Sequence, residues 1–525
     1  MSESTTVKVQ VNRAQQLGQI RRIWNSIGYD ELNWTYTARG RRLYRVLGQE
    51  VFTGGPYYVR MHNAFTSGNG LSGPAWGAGN PYHEAPDGSA RYFWDILDRA
   101  YDTITAHGGL PLIELGFMPR DLSRITVRDA RFGAGQDLGR EPYEGEAWKE
   151  PPKDLARWAD LVHAFVTHLV ARYGEERVAT WRFELWNEPD IPNYWHGTVD
   201  DYAALYDASA AAAKRAFPGI QIGGPATTDH GTPFLDRFLT HLDATGGTPD
   251  FLSFHSKGAS YAPRRLYSPF DEAGRESPST ARMVDGIRRN LATISRFPQF
   301  DRVPVYIDEC DPAVGTIYGV YDNPNFVVTN TEYYPSFVCH LVASLLDLER
   351  IDLITHWAFY MEGKRWFEGN RTLADNENVE KPIMNGLRLL ERLTGGQRLH
   401  VTSTVPSVGG LAVSLPPTLR VLLWHHDDAW WAKGTVQVDL EIIGAASGAS
   451  SATLWRLDRD HANTYRMWQA LGAPDDPTPE QLMMIREAGL LRPERQTITA
   501  VTDTLHTQLH LPKHGIALLE VEADD

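Results

Sequence analysis

Residues 155–185 are LARWADLVHAFVTHLVARYGEERVATWRFEL, and this stretch decides the fold class. Its last part, Thr180–Leu185, is a short apolar run that predicts a buried strand. A helix followed closely by a buried strand is one unit of a βα repeat, and a series of such units predicts a parallel sheet. The helix is predicted by apolar residues that recur at the spacing of one helix face, namely Leu155, Trp158, Leu161, Val162, Phe165, Leu169 and Val170.

The same alternation of strand and helix extends in both directions from this unit. Helical periodicity also occurs over Tyr202–Phe217, Thr280–Phe297 and Tyr333–Leu348. Eight βα units in one run favour a closed (β/α)8 barrel, the TIM barrel, over an open doubly wound sheet. The other predicted strands are Tyr57–Met61, Pro111–Gly116, Ile220–Gly223, Pro249–Phe254, Pro304–Ile307 and Leu353–Phe359, with an eighth near Arg22–Ile27.

The pattern changes after residue 396, where Thr394-Gly395-Gly396 ends the last predicted helix. Short strands separated by turns predict a C-terminal β-sandwich domain. An insert at Asp460–Ala488 has a helical pattern around Pro479–Ala488. The predicted strands of the sandwich are Leu411–Leu415, Leu419–Trp424, Val436–Ile443, Ala452–Leu457, Thr497–Val501, Thr507–Leu511 and Gly515–Val521.

The domain boundaries follow from these patterns. Residues 15–396 are expected to form the barrel and residues 397–525 the sandwich. Residues 1–14 contain an alternating run, Thr5–Asn12, which is expected to join the sandwich as an edge strand.

Composition restricts the classes of function. With 51 Lys and Arg against 66 Asp and Glu in 525 residues, the formal net charge of −15 argues against nucleic acid or an anionic membrane as a partner. No secretory signal follows Met1, and no run reaches the roughly 18 apolar residues of a membrane span. The two cysteines, Cys310 and Cys339, fit a reducing compartment. The sequence therefore predicts a soluble, cytoplasmic protein.

Two glutamates stand where a barrel carries its chemistry, at the carboxyl ends of strands. Glu188 follows the fourth predicted strand and Glu309 the seventh, and these strands lie across the barrel mouth from each other. Either residue alone also fits a helix cap or a salt bridge. Together, two facing carboxyl groups can cleave a glycosidic bond, one as a proton donor and the other as a nucleophile or base. The amide of Asn187 could then bond a sugar 2-hydroxyl.

Trp186-Asn187-Glu188-Pro189 resembles the acid/base motif of the clan A glycoside hydrolases, which are retaining (β/α)8 enzymes. Within that clan the chain resembles glycoside hydrolase family 39, the family of β-xylosidases and α-L-iduronidases. The resemblance implies that Glu188 is the acid/base and Glu309 the nucleophile, with no cofactor. It extends over Val59–His62, Phe183–Asp190, Gly223–Pro225, Asp250–Ala259, Asp308–Gly315 and the tail segment from 457 to 481.

A cationic pocket is predicted at the same mouth. Lys257 follows the sixth strand, and together with Arg371 and the backbone at Gly315 it suggests a site for an anionic group. In the iduronidase branch the matching Lys, Gly and Arg bind the carboxylate of the sugar. Thr316 stands where that branch has a Trp, so a β-D-xyloside stays the alternative substrate.

Three more polar residues lie at strand ends. His62 and His255 are expected either to support the structure or, as neutral imidazoles, to bond sugar hydroxyls. Asp311 is expected to bond the sugar or to orient a neighbour. No H-E-x-x-H motif and no paired cysteines occur, so no metal site is predicted.

The sequence thus predicts a retaining, exo-acting glycoside hydrolase that works by double displacement. The expected substrate is a small glycoside or oligosaccharide with a terminal α-L-iduronide or related uronide, and the sandwich packs on the barrel or forms a homo-oligomer contact. An inverting hydrolase, with its carboxyl groups about 6.5–9.5 Å apart, and a non-catalytic carbohydrate-binding protein are the rival hypotheses.

Overall fold

The computed structural model describes residues 5–68, 77–125, 145–259, 275–312, 319–321, 324–357, 365–369, 372–444 and 451–522. The strands in these ranges are β1 (Thr5–Gln19), β2 (Ser26–Tyr29), β3 (Tyr57–Met61), β4 (Tyr82–Glu84), β5 (Ala90–Tyr92), β6 (Gly109–Leu115), β7 (Arg182–Leu185), β8 (Ile222–Thr227), β9 (Phe251–Lys257), β10 (Val305–Asp311), β11 (Ile351–Trp357), β12 (Gln397–Ser403), β13 (Val408–Leu415), β14 (Thr418–His425), β15 (Thr435–Ile443), β16 (Ser451–Leu457), β17 (Pro493–Thr497), β18 (Thr499–Val501), β19 (Thr504–Pro512) and β20 (Ile516–Glu522).

Helices connect most of the barrel strands. The α-helices of the described residues are α1 (Ala38–Val46), α2 (Asp95–Thr105), α3 (Leu155–Tyr173), α4 (Glu175–Val178), α5 (Val199–Ala216), α6 (Thr232–Thr245), α7 (Thr280–Ile294), α8 (Tyr333–Leu346), α9 (Pro382–Glu391), which follows the last barrel strand, and α10 (Thr464–Ala470) and α11 (Pro479–Ala488), which lie between β16 and β17. Among the helices of the described residues, none has both the length and the apolar character that crossing a bilayer requires.

A closed barrel of eight parallel strands forms the first part of the described chain, in the order β2, β3, β6, β7, β8, β9, β10, β11. Closure occurs where β11 pairs with β2, with Thr355 opposite Ser26. The predicted fold class, a (β/α)8 barrel followed by a separate β domain, is confirmed. Each predicted barrel strand overlaps an observed one, although residues 358 and 359 of the last prediction lie outside the described residues.

Helix α3 shows why the local prediction succeeded. Asp154 caps its first turn by accepting hydrogen bonds from the backbone N–H groups of Ala156 and Arg157. Its buried face is the apolar face of the sequence pattern, with Trp158, Leu161, Val162, Phe165 and Leu169 all inaccessible to solvent. A cap at the start and one apolar face are both local signals, so the sequence predicts this helix at its observed bounds.

The interior of the barrel differs between its two ends. Near the amino ends of the strands, Leu112, Phe251, Tyr306 and Leu353 form an apolar cluster that fills the barrel. Toward the carboxyl ends, buried charged residues replace the apolar ones. The barrel is therefore plugged at one end and polar at the other, where its site would be expected.

A ten-stranded, mostly antiparallel sheet forms the second domain among the described residues, in the order β17, β16, β20, β14, β13, β12, β1, β15, β19, β18. Apolar side chains from both halves of this sheet share one core, which means that the sheet folds over on itself. This arrangement is the predicted sandwich.

Strand β1 corrects one expectation. It lies inside the sheet, antiparallel to β12 and parallel to β15, and not at an edge. Its alternating residues Val7, Val9 and Val11 are fully buried in the sandwich core. The alternating pattern indicates one buried face but does not indicate whether one or both edges of the strand are paired, so the sequence could not distinguish these cases.

Two other strands differ from prediction. The run Thr497–Val501 is divided between β17 and β18. Strand β12 was not predicted because only Leu399 in it is buried, which leaves no clear alternation.

The sandwich contacts the barrel through the loop that follows β14. The carboxylate of Asp428 accepts hydrogen bonds from the backbone N–H and the hydroxyl of Thr280, at the start of α7. The carbonyl of Asp428 accepts one from the hydroxyl of Tyr333, at 2.9 Å. The two domains are thus joined by bonds to helices of the barrel.

Candidate active site

The two glutamates meet at the polar end of the barrel, with His255 between them. Glu309 lies in β10, Glu188 lies three residues beyond β7, and His255 lies in β9. The Nδ1 atom of His255 is 2.8 Å from Oε1 of Glu188 and 3.7 Å from Oε2 of Glu309. One carboxylate oxygen of each glutamate and a ring nitrogen of His255 all lie within 4.8 Å of one another. Residues 121 positions apart in the sequence thus share one cluster.

A tight turn after β7 places Glu188 in this cluster. Trp186 and Glu188 both have left-handed backbone conformations, with φ of 66° and 46°, which non-glycine residues rarely adopt outside functional sites. The turn is held by the Glu188 N–H, which donates to the carbonyl of Ala226 at 2.9 Å, and by the indole of Trp186, which donates to the carbonyl of Tyr194 at 3.0 Å. The surrounding bonds therefore compensate for the backbone strain.

Glu309 is surrounded by cationic groups. Arg60 Nη1 donates to its Oε1 at 3.2 Å, and Lys257 Nζ donates to its Oε2 at 2.9 Å. Burial by itself would raise the pKa of Glu309, but the nearby His255, Lys257, His62 and Arg60 outweigh burial and hold this pKa well below its ordinary value. Glu309 is thus a carboxylate at neutral pH, the form that a nucleophile or a base requires.

Glu188 has a different environment. Among the described residues, the side chain of Glu188 bonds His255. The Glu188 side chain is 16% exposed, whereas the Glu309 side chain is 7% exposed. A more open position suits a group that exchanges protons with solvent or with a leaving group. The two carboxyl groups are therefore unequal in surroundings, as an acid and nucleophile pair would be.

Arg60 is the centre of the network beneath the site, and its side chain is fully buried. Its Nε donates to Oε2 of Glu184 at 2.7 Å, and its Nη2 donates to Oδ1 of Asn187 at 3.0 Å. Because Arg60 binds the amide oxygen of Asn187, the amide NH2 group of Asn187 points away from Arg60. Arg60 was not among the predicted site residues, although it lies on β3 two positions before His62, which directly follows that strand.

His62 was expected either to support the structure or, as a neutral imidazole, to bond sugar hydroxyls, and its ring lies against three acidic side chains. Its Nδ1 lies 2.5 Å from Oε2 of Glu114, and its Nε2 lies 3.3 Å from Oδ1 of Asp30 and 3.4 Å from Oε1 of Glu309. Burial favours the neutral ring, but Glu114 outweighs burial and raises the pKa of His62 to about 10. The ring is therefore charged at neutral pH. Glu114 and Asp30 had not been predicted, because nothing local shows which acid a histidine faces.

Lys257 is already paired in the structure. Its Nζ donates to Oε2 of Glu309 and, at 2.7 Å, to Oδ2 of Asp311. Both carboxylates are buried. The carboxylate of Asp311 is thus bonded to a neighbouring side chain of the site. Gly315 and Arg371, the other members of the predicted cationic pocket, lie outside the described residues.

Replacing Arg60 with Met is expected to lower the free energy of unfolding by about 3–5 kcal/mol, because it leaves buried carboxylates without their shared cation. Urea denaturation at pH 7 measures this change. Arg182→Met is the matched control, since Arg182 lies at the other end of the barrel and bonds the neutral hydroxyl of Tyr306. A loss no larger than that of the control would contradict a central charge role for Arg60.

The chain is similar to known proteins in sequence and in fold. A family model described as glycosyl hydrolases family 39 matches residues 7–503. A β-xylosidase of Geobacillus stearothermophilus is 26% identical over 479 residues, which cover 89% of this chain and 86% of that protein. An α-L-iduronidase of Canis lupus familiaris is 26% identical over 469 residues, covering 75% of this chain and 67% of that protein. The crystal structure of a monomeric β-xylosidase from Caulobacter crescentus CB15 superimposes with a TM-score of 0.78 at 23% identity, covering 99% and 100% of the two chains.

Proposed function

This chain belongs to glycosyl hydrolases family 39 and is a glycoside hydrolase, and we propose that it removes single terminal sugars with retention of anomeric configuration, acting on a β-D-xyloside. The observation that carries the proposal is the approach of Glu188 and Glu309 around His255, with oxygens of the two carboxyl groups within 4.8 Å of each other. Retaining enzymes hold these groups about 5–5.5 Å apart, whereas inverting enzymes need about 6.5–9.5 Å to admit a water molecule. The short separation supports the retaining mechanism.

The first step forms a bond between Glu309 and the sugar. The carboxylate of Glu309 attacks the anomeric carbon while the bond from that carbon to the leaving oxygen breaks. Glu188 donates its proton to the leaving oxygen, so the aglycone departs as a neutral alcohol. The cations around Glu309 keep it ionised for this attack.

The second step releases the sugar. Glu188, now a carboxylate, takes a proton from a water molecule whose oxygen attacks the anomeric carbon. The ester bond to Glu309 breaks and the sugar leaves as a free hemiacetal. Glu188 ends protonated and Glu309 ends ionised, as both began, so the cycle is balanced.

Exo action is supported by the enclosure of the site. The side chains of Glu309, His62 and Lys257 are each less than a tenth exposed. A deep position of this kind suits one sugar residue entering from a chain end better than the middle of a polysaccharide.

The pairing of Lys257 favours a neutral sugar. Its ammonium group lies between Glu309 and Asp311, at 2.9 and 2.7 Å, so two carboxylates already offset its charge. A sugar carboxylate would have to compete with Asp311 for the same cation and would approach two buried anions. A β-D-xyloside, which lacks this carboxylate, meets no such cost. The β-xylosidase relative is also the one with the longer coverage.

An α-L-iduronide is the second candidate substrate, and the position of the Lys257 ammonium group is the observation that favours it. This residue brings an ammonium group next to Glu309, and a carboxylate at the sugar C5 is the kind of group that a buried ammonium binds.

The two candidates are distinguished by assaying an aryl β-D-xyloside and an aryl α-L-iduronide with the wild type and with Lys257→Ala. We expect the wild type to prefer the xyloside. We expect the variant to lose activity on it with the acid limb of kcat/KM moved to higher pH, because removing a cation raises the pKa of Glu309. Lys153→Ala, which removes a surface lysine paired with Glu84, is the control. A loss of activity confined to the aryl α-L-iduronide would favour the α-L-iduronide as the substrate.

A cytoplasmic location is also proposed. Cys310 and Cys339 are both buried free thiols, as is usual for proteins of reducing compartments. The substrate would then be a small glycoside taken into the cell. Fractionation of the native host with an antibody to this chain tests the location, and recovery outside the cytoplasm would disprove it.

A further inference from the structure

A second pair of carboxyl groups lies directly beneath the proposed catalytic pair. Glu184 on β7 and Asp308 on β10 both have fully buried side chains. Arg60 Nε is 2.7 Å from Oε2 of Glu184 and 3.6 Å from Oδ2 of Asp308. The other oxygen of Glu184 accepts a hydrogen bond from the hydroxyl of Ser253 at 2.6 Å. Two buried acids therefore face one guanidinium group.

Two cations of the site, Arg60 and Lys257, are each bonded to acids other than Asp308. Arg60 is closer to Glu184 and also bonds Glu309. Lys257 bonds Glu309 and Asp311 at the other side of the site. In the described ranges no N–H or hydroxyl group donates a hydrogen bond to either oxygen of Asp308. An ionised carboxylate in such a position would be very costly, since a buried charge requires pairing and hydrogen bonds.

The other groups that face Asp308 do not reduce the cost of ionising it. Nε2 of His255 lies 3.7 Å from Oδ1 of Asp308, beyond hydrogen-bond distance. The hydroxyl of Tyr202 is a neutral neighbour that donates to the carbonyl of Leu185 at 3.0 Å. The remaining neighbour is Glu184, which shares the guanidinium of Arg60 with Asp308, and a hydrogen bond between the two acids would satisfy Asp308. Such a bond requires a proton on one of the two acids.

We propose that Asp308 is a positioning residue that acts as a neutral acid: it donates a proton to Glu184, so that the two side chains together carry one negative charge beneath Glu309. Burial and the charge of Glu184 hold the pKa of Asp308 well above its ordinary value. Burial would also raise the pKa of Glu184, but Arg60 outweighs burial and lowers it. The proton therefore resides on Asp308.

The single charge matters for the residue above it, a consequence that rests on the proposed role of Glu309. A second anion beneath Glu309 would raise the pKa of Glu309 and draw Arg60 away from it. When the two acids share one proton, both side chains stay in place and the pair carries a single negative charge. Arg60 can then bond Glu184, Asn187 and Glu309 at once.

Infrared difference spectroscopy tests the protonation state without using activity. Wild-type spectra at pH 7 are expected to contain a carbonyl band of a buried protonated carboxyl group that is absent from Asp308→Asn. The band should also be lost in Glu184→Gln, because Asp308 then pairs with Arg60 alone and ionises. Persistence of the band in Asp308→Asn would overturn the proposal. If one variant fails to fold, the other gives the same readout.

Activity distinguishes positioning from mere packing. Asp308→Leu removes the donor at similar size and is expected to lower kcat/KM by roughly 5- to 150-fold, the range for one lost buried hydrogen bond. Asp308→Asn, which still donates to Glu184, should recover most of this loss and keep the acid limb of the pH profile where the wild type has it. A move of that limb to lower pH in Asp308→Asn would mean that an ionised Asp308 had been removed, and would refute the neutral form. Failure of Glu309 as a nucleophile would leave the infrared result unaffected.

Discussion

Glu309→Ala is expected to lower kcat by about 10⁴-fold or more, which corresponds to at least about 5.4 kcal/mol of activation free energy. The carboxylate that would form the covalent intermediate is then missing, and nothing else in the described cluster can replace it, because Glu188 is turned toward His255. Initial rates with an aryl β-D-xyloside at pH 7 measure the loss. Glu332→Ala is the matched control, since Glu332 is another buried glutamate of the barrel but pairs with Arg466 in the second domain. Its rate should stay near that of the wild type.

Azide distinguishes a lost nucleophile from general damage. A small anion fits the space left by the Glu309 side chain and can attack the anomeric carbon directly. This single displacement gives a glycosyl azide of inverted configuration, which NMR identifies. Rescue with retained configuration, or a kcat close to that of the wild type, would disprove the nucleophile role.

Glu188→Ala should have the second largest effect, and its size should depend on the leaving group. Loss of a general acid costs about 10²–10⁴-fold for alkoxide leaving groups, which need the proton. An aryl glycoside with a strongly acidic phenol should retain far more of its kcat in the first step. Parallel assays of an alkyl and a dinitrophenyl xyloside measure the difference. Equal losses on both substrates would contradict an acid role for Glu188.

The same variant also gives a stereochemical result. In Glu188→Ala the covalent intermediate still forms on Glu309, so azide attacks it from the opposite face. The product is a glycosyl azide of retained configuration, opposite to that from Glu309→Ala. Glu188→Gln is the isosteric companion, and identical products from the two sites would show that the roles are not divided as proposed.

Much of the architecture follows from local patterns. Helix α3 has its cap and its buried face within one segment, and the barrel strands are continuous apolar runs. The positions of Glu188 and Glu309 at the ends of the fourth and seventh strands were also predictable, because parallel barrel strands place their carboxyl ends at one mouth. Order and period along the chain are sufficient for this level of description.

The partners of each charge were not predictable. Lys257 was expected to await an anion, but the register of β9 against β10 sets it opposite Asp311 and beside Glu309. The sequence left open whether His62 supports the structure or bonds a sugar, and the neighbouring strand brings Glu114 within 2.5 Å of its ring. Strand β1 likewise gained a partner on both edges.

The sequence by itself determined which segments are strands and helices, and which acids end the strands of the mouth. Tertiary structure decided which of those acids are ionised. The reason is that periodicity is a property of neighbours along the chain, whereas the charge of Glu309 or Asp308 depends on burial and on cations from other strands. One guanidinium, Arg60, reaches both acids only because the barrel closes around it.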